Sequence, residues 1–209
     1  MPPKSALYVA AGAVVALAFV IALVRGSAPD TVSEWLAPIG PAVALASAGL
    51  WLFDRYAWRW RGLRKLTGRP LLHGTWHGTL RTDWVDPQTG QQKSQDDNVF
   101  LVIRQRFSDL TVRMLTQEST SGSLEANLIR DPDGVHRVAY LYDNTPRPEV
   151  RHRSQIHYGA TVLVTPKDTE AEGIEGHYFT DRTTSGEMRF HTRYKQLAET
   201  WVAAMNLTR

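Results

Sequence analysis

The sequence predicts a membrane-anchored all-β protein: two N-terminal transmembrane helices, an antiparallel eight-stranded β-barrel and a short C-terminal helix. Three observations predict it. Two uncharged runs of 18 residues, Leu7 to Val24 and Leu36 to Phe53, open the chain. From His73 the apolar pattern changes to short stretches of period two, separated by turn residues. Near the end, Leu197, Trp201, Ala204 and Met205 recur at helical spacing.

Length and composition bound the rest. A chain of 209 residues holds one well-buried domain and an appendage. It contains no Cys, which excludes a disulfide framework, a thiolate metal site and a thiol nucleophile. The formal charge of +3 is unevenly placed: from Pro70 to Arg209 there are 16 Lys and Arg against 18 Asp and Glu, a net of −2. A nucleic-acid polymer needs a basic face on the folded part. None is expected here.

As helices, the two uncharged runs would each be roughly 27 Å long, near the thickness of bilayer hydrocarbon. A cleaved signal peptide is the competing reading of the first. The run is long for that, its only early charge is Lys4, and a second comparable segment follows. Gly40-Pro41 is expected to kink the second helix or displace its start. The connection Arg25 to Trp35 carries one Arg against Asp30 and Glu34. After the second helix come Arg55, Arg59, Arg61, Arg64, Lys65 and Arg69, opposed only by Asp54. The positive-inside rule then places the N-terminus and everything after the second helix in the cytoplasm. Trp51, Tyr56, Trp58 and Trp60 read as an interfacial aromatic belt. The expected divisions are a hairpin with a basic flank over 1–69, a barrel over 70–193 and an amphipathic helix over 194–209. That helix is expected to run from Tyr194 to Leu207 and to cap the barrel or pack on its wall, with oligomerisation as the alternative.

Strands are expected near Gly74–Thr82, Asn98–Arg106, Leu110–Gln117, Ser123–Ile129, His136–Asn144, Thr161–Pro166, Gly173–Thr180 and Glu187–His191. Asp86-Pro-Gln-Thr-Gly90, Asp131-Pro-Asp-Gly134, Pro166-Lys-Asp and Thr184-Ser-Gly186 punctuate them. Asp96-Asp97 and Asp131-x-Asp133 read as loop and turn acids. Eight strands close around an interior wide enough for one small ligand. The rows Tyr140, Tyr142, Asn144 and Gly176, Tyr178, Thr180, Arg182 each fall on one face. Aromatic hydroxyls, an amide and a guanidinium facing inward suit something polar and flat. A one-residue slip would reverse these faces.

Enzyme readings find little support: there is no Gly-x-Ser-x-Gly, no phosphate loop and no His-Glu-x-x-His. His73 and His77 are four apart without an evident third ligand, so neither a metal site nor a cofactor is expected.

An ordered series of residues resembles a known family, the two-transmembrane β-barrel effectors of the bacterial antiphage systems associated with CD-NTases and known as CBASS. The series begins after the two helices with Gly74-Thr-Trp76-His-Gly78, Ile103-x-Gln105 and Ser119-x-Ser121 with Ala126. It continues with Tyr140-x-Tyr142-x-Asn144-x-Pro146, His157-x-Gly159 and Gly176-x-Tyr178-x-Thr180-x-Arg182-x-Thr184-x-Gly186. The likeness runs from Leu7 to about His191 and leaves out the C-terminal helix. It implies that a partner CD-NTase makes a cyclic dinucleotide during infection and that the barrel binds it. The helices then oligomerise in the inner membrane, disrupt it and kill the infected cell. Small residues suited to helix contacts are Gly12, Ala16, Ala42, Ala46 and Gly49.

Such a ligand asks for stacking faces, groups that read base edges and a cation for phosphate. Tyr140, Tyr142, Tyr178 and Trp76 are the candidates for stacking. Asn144, Gln105, Thr180 and Ser121 are candidates for base edges, and Arg182 for phosphate with His157 as helper. Plain structural readings stand beside these. Trp76 suits a barrel floor, and a buried Tyr often sends its hydroxyl to the backbone. His157 suits a turn, and Arg182 suits an ion pair with Asp181 or Glu187. The main rival function is a lipocalin-like barrel carrying an apolar ligand or lipid, which predicts aliphatic inward rows. A purely structural membrane module is a second.

Overall fold

The structure is a computed structural model that describes residues 4–24, 37–86, 88–165 and 173–209. The chain divides into two compact units, Met1–Trp58 and Arg59–Arg209.

The first unit holds α1 (Lys4–Val24) and α2 (Ile39–Arg55), which touch each other. Helix α2 starts after a turn at Ala37-Pro38, and Pro41 falls in its first turn. There its missing N–H is no loss, so Gly40-Pro41 displaces the start and does not kink the helix. Among the described residues no helix is long and apolar enough to cross a membrane. The expected pair of spanning helices is therefore not shown, and the connection Arg25 to Trp35 lies outside the described residues. Trp51, Tyr56 and Trp60 are exposed, whereas Trp58 is fully buried. An interfacial belt therefore cannot include Trp58.

The second unit opens with α3 (Arg61–Thr67), ended by Gly68 in the left-handed region at φ 63°. Eight strands follow: β1 Gly74–Val85, β2 Gln92–Gln105, β3 Leu110–Leu115, β4 Ser119–Arg130, β5 His136–Pro146, β6 His157–Thr165, β7 Ile174–Thr180 and β8 Ser185–Tyr194. Each pairs antiparallel with its neighbours in sequence, and β1 closes on β8. The expected barrel is present with all eight strands. Four of them begin earlier than their composition suggests, β2 at Gln92, β4 at Ser119, β6 at His157 and β8 at Ser185. The polar residues involved are held by pairing: β2 matches β1 from Gly74–Ile103 through to Val85–Gln92. The expected turn at Pro166-Lys-Asp lies outside the described residues.

Alternation fills the barrel. Trp76, Leu80, Val99, Leu101, Ile103, Leu110, Val112, Val138, Leu163, Ile174, Met188 and Phe190 form one buried core. One end is laced shut by the segment that enters β1. Gln105 Oε1 accepts from Leu72 N at 2.8 Å, its Nε2 donates to Pro70 O at 3.0 Å, and Trp76 Nε1 donates to Leu72 O at 2.8 Å. Part of the basic flank is spent on the same end. Arg59 donates to Gln105 O, Arg69 donates to Phe107 O with its guanidinium 4.4 Å over the Phe107 ring, and Arg64 is buried.

The C-terminus differs from expectation. Strand β8 runs on to Tyr194, which pairs with Thr75, and the helix α4 is only Trp201–Asn206. Thr200 caps it, accepting from Ala203 N at 3.2 Å. The segment is strapped to the outer wall: Thr75 Oγ1 donates to Gln196 O at 2.8 Å and accepts from Ala198 N at 2.9 Å. Ala198, Ala204, Leu197 and Trp201 then cover Phe100, Val102 and Leu115, with Trp201 edge-on to Phe100 at 5.2 Å.

The joins between strands are unequal. Strands β3 and β4 pair only from Arg113–Gly122 to Leu115–Thr120, and beyond that Ser123 Oγ accepts from Val112 N at 3.0 Å.

Candidate functional site at the barrel mouth

The end opposite the laced one opens into a cavity whose volume of about 980 Å³ also takes in, over the rim, the outer-wall groove beside His77, Trp201 and Met205. The inward rows reach it as they leave the core. Along β5 the row runs His136, Val138, Tyr140, Tyr142, Asn144, Pro146, all buried. Tyr142, Asn144, His157, Tyr178, Thr180 and Arg182 line the cavity together, although they come from β5, β6, β7 and the turn after β7.

Each tyrosine at the mouth lies over a glycine on the next strand. Tyr142 pairs with Gly159, and a Cβ on that glycine would stand 2.3 Å from the phenol oxygen. Tyr178 pairs with Gly186, where a Cβ would meet the ring at 2.8 Å. The missing side chains let the rings lie against the wall and leave the centre open. Tyr178 donates its hydroxyl to Thr82 Oγ1 at 2.7 Å. Burial first, then the neighbouring Tyr140, Tyr178 and Asp181, pushes the Tyr142 phenol well up, so it stays neutral as a donor.

Arg182 is aimed by its turn. Thr180 N donates to Thr184 O at 3.0 Å, and Arg182 N donates to Thr180 Oγ1 at 3.2 Å. Thr183 sits at φ 59°, an uncommon conformation for a β-branched residue. The turn sends the Arg182 side chain back to Ser154, where Nη1 donates to Oγ at 3.0 Å and to Gln155 O at 3.4 Å. The His157 ring stands beside the same guanidinium at 3.4 Å. Among the described residues Arg182 joins no ion pair with Asp181 or Glu187. Its guanidinium is exposed and available to an anion.

The other four expected residues are not brought to the cavity lining. Tyr140 lies one step deeper, tilted against Tyr142 at 5.8 Å. Burial pushes its phenol up to about 12, with Thr161 pulling the other way, and neither hydroxyl completes a hydrogen bond. Ser121 is buried between Asn144 and Met114 in register, on the inward face but not in the lining. Trp76 and Gln105 sit at the laced end, with their polar atoms used within the fold. The structure thus gives Trp76 the barrel-floor role and makes Gln105 a lock on the closed end. Sequence reading missed Gln95 and Asp97, which line the cavity on the β2 side. The signal was the alternation Gln95, Asp97, Val99, Leu101, Ile103, which continues the core row of β2.

The lipocalin-like alternative expects aliphatic inward rows throughout. They dominate the laced half, and at the mouth Leu80, Met114 and Val150 stand among tyrosine, amide, hydroxyl and guanidinium groups. Such a lining can stack a flat ring, donate to or accept from polar edges and neutralise an anion.

Comparison with known proteins agrees with that chemistry. A family described as "Cap15, cyclic dinucleotide receptor domain" matches residues 67–192, which is β1 to β8 with a short lead-in. CD-NTase-associated protein 15 of Staphylococcus schleiferi is 24% identical over 74% of this chain and 79% of its own length. The protein of the same name from Yersinia aleksiciae is 30% identical over 65% of this chain and 62% of its own length. With the domain match covering the whole barrel, the chain belongs to the Cap15 family of CBASS effectors, whose barrel is a cyclic-dinucleotide receptor domain.

Proposed function

We propose that the mouth of this barrel binds a cyclic dinucleotide made by a partner CD-NTase, and that binding drives copies of the chain together in the bacterial inner membrane. The observation that carries the reading is the convergence of Tyr142, Tyr178, Asn144, Thr180, His157 and Arg182 on one cavity in a receptor domain. The tyrosine faces stack on a base, the amide and hydroxyls meet base edges, and Arg182 meets a phosphate. No catalytic step is assigned.

The membrane part of the proposal rests on composition. The uncharged runs Leu7 to Val24 and Leu36 to Phe53 and the basic flank after them suit a two-helix anchor with the barrel on the cytoplasmic side. Within the first unit, Gly12, Ala16 and Gly49 are exposed and Ala46 is half-buried, which leaves small residues for helices of other copies; only Ala42 is buried. Gathering barrels raises the local concentration of weakly interacting helices until they assemble and breach the bilayer.

The test is calorimetric titration of the detergent-solubilised full chain with a panel of cyclic di- and trinucleotides, beside dye release from vesicles containing the chain. Saturable binding of one member, and release only with that member, is the expected result. Silence across the panel from folded protein refutes the proposal and favours a carrier of apolar ligands.

A further inference from the structure

The cavity has two electrostatic sides. Arg182 and His157 stand on the β6 side and in the turn after β7. On the β2 wall stand Gln95 and Asp97. Asp97 occupies the inward row of its strand, opposite Leu80 of β1 and two residues before the buried Val99. Both its oxygens accept from Gln95 Nε2, at 2.9 and 3.0 Å. Among the described residues it joins no ion pair, whereas Glu118, another lining acid, is held by Arg153 at 2.5 Å. Asp96 also borders the cavity, but it falls on the outward row of the strand, across from Arg81. Among the described residues, Asp97 is thus the inward carboxylate that no ion pair neutralises.

A free carboxylate is out of place in a site for a ligand with two phosphates unless it meets a donor edge. An ionised carboxylate only accepts, through two oxygens side by side. Of the common bases, guanine alone places two donors, N1–H and the exocyclic amine, next to each other on its pairing edge. Adenine and cytosine put an unprotonated ring nitrogen there, and uracil flanks its one N–H with two carbonyls. Each of those would set a lone pair against Asp97. Resting on the receptor reading above, we propose that Asp97, oriented by Gln95, reads a guanine edge. The ligand is then a guanine-containing cyclic dinucleotide, held with a phosphate toward Arg182 and a guanine toward β2.

The test is calorimetric titration of the detergent-solubilised full chain with cyclic di-GMP, cyclic GMP–AMP, cyclic di-AMP and cyclic di-UMP. One or both guanine-containing members are expected to bind best. Asp97→Asn then weakens them about 10- to 100-fold, the loss of a charge-assisted contact. Asp143→Asn, which removes the same charge from the outward row of β5, leaves affinity unchanged. Tightest binding of a guanine-free member, or an Asp97→Asn variant that keeps its folding transition and its affinity, overturns the guanine assignment while the receptor reading stands. Silence toward every cyclic nucleotide overturns both.

Discussion

Gly159 is the position where adding a single methyl group tests the architecture of the mouth. An alanine Cβ there would lie 2.3 Å from Tyr142 Oη, 2.4 Å from its Cζ and 2.8 Å from the Phe179 carbonyl oxygen. The last is backbone of a paired strand and cannot step aside cheaply. The buried Tyr142 ring must therefore tilt into the cavity. Overpacking of this kind costs about 1–3 kcal/mol, equivalent to a fall in melting temperature of roughly 2–12 °C for a unit of this size. Gly122→Ala is the matched control, because its Cβ meets nothing nearer than Asp143 Oδ1 at 3.6 Å. There the methyl group should be neutral or stabilise by about 0.4–1 kcal/mol through the unfolded chain. Thermal unfolding followed by circular dichroism reads both variants, and titration with the ligand reads the mouth. Gly159→Ala should lose stability and affinity together, and replacing Tyr142 with Leu in that background should recover part of the stability. Equal melting temperatures for the two glycine variants would refute the seating of the ring.

Three further outcomes follow from the same geometry. Arg182→Ala should abolish ligand binding while moving the melting temperature little, since the side chain is exposed; unchanged affinity removes Arg182 from the site. Gln105→Leu should destabilise by about 1–3 kcal/mol, because Leu72 N and Pro70 O lose their partners, without altering affinity in a folded sample. His73 is held down to about 4 by burial first and then by Arg59, Arg104 and Arg193. The unfolded chain therefore binds the extra proton between about pH 6.5 and 4, so this contribution is full above that window and lost as pH falls through it. His73→Asn, which keeps an acceptor for Gln105 N, should flatten the fall in melting temperature across that range relative to the parent chain.

The strands were legible because burial alternates with side-chain identity, as in Val138, Tyr140, Tyr142 and Asn144. What alternation cannot carry is height along the barrel. Gln105, Trp76 and Tyr142 all point inward, yet two lie at the laced end and one at the mouth, a distinction set by the shear of the closed sheet. Asp97 reads as a loop acid because seven polar residues, Gln92 to Asn98, precede Val99; pairing along the whole of β1 draws them into β2. The C-terminal helix was read too long because Leu197 and Trp201 are spaced for one wall contact, which an extended strap tied to Thr75 also provides. Arg182 was legible as an inward position, but its aim at Ser154 depends on the left-handed Thr183, for which the sequence carries no sign.

The short join between β3 and β4 has a mechanical consequence. A hoop under load parts at its weakest clasp, and here the clasp is three residues on each side, backed by the Ser123 hydroxyl. Parting it opens the ring while the long β1–β2 seam stays intact. Backbone amides along β3 should therefore exchange with solvent ahead of their neighbours in β2. Ligand that braces the rim near Ser119 and Asn144 would slow that exchange, so the β3 amides would report occupancy of the mouth.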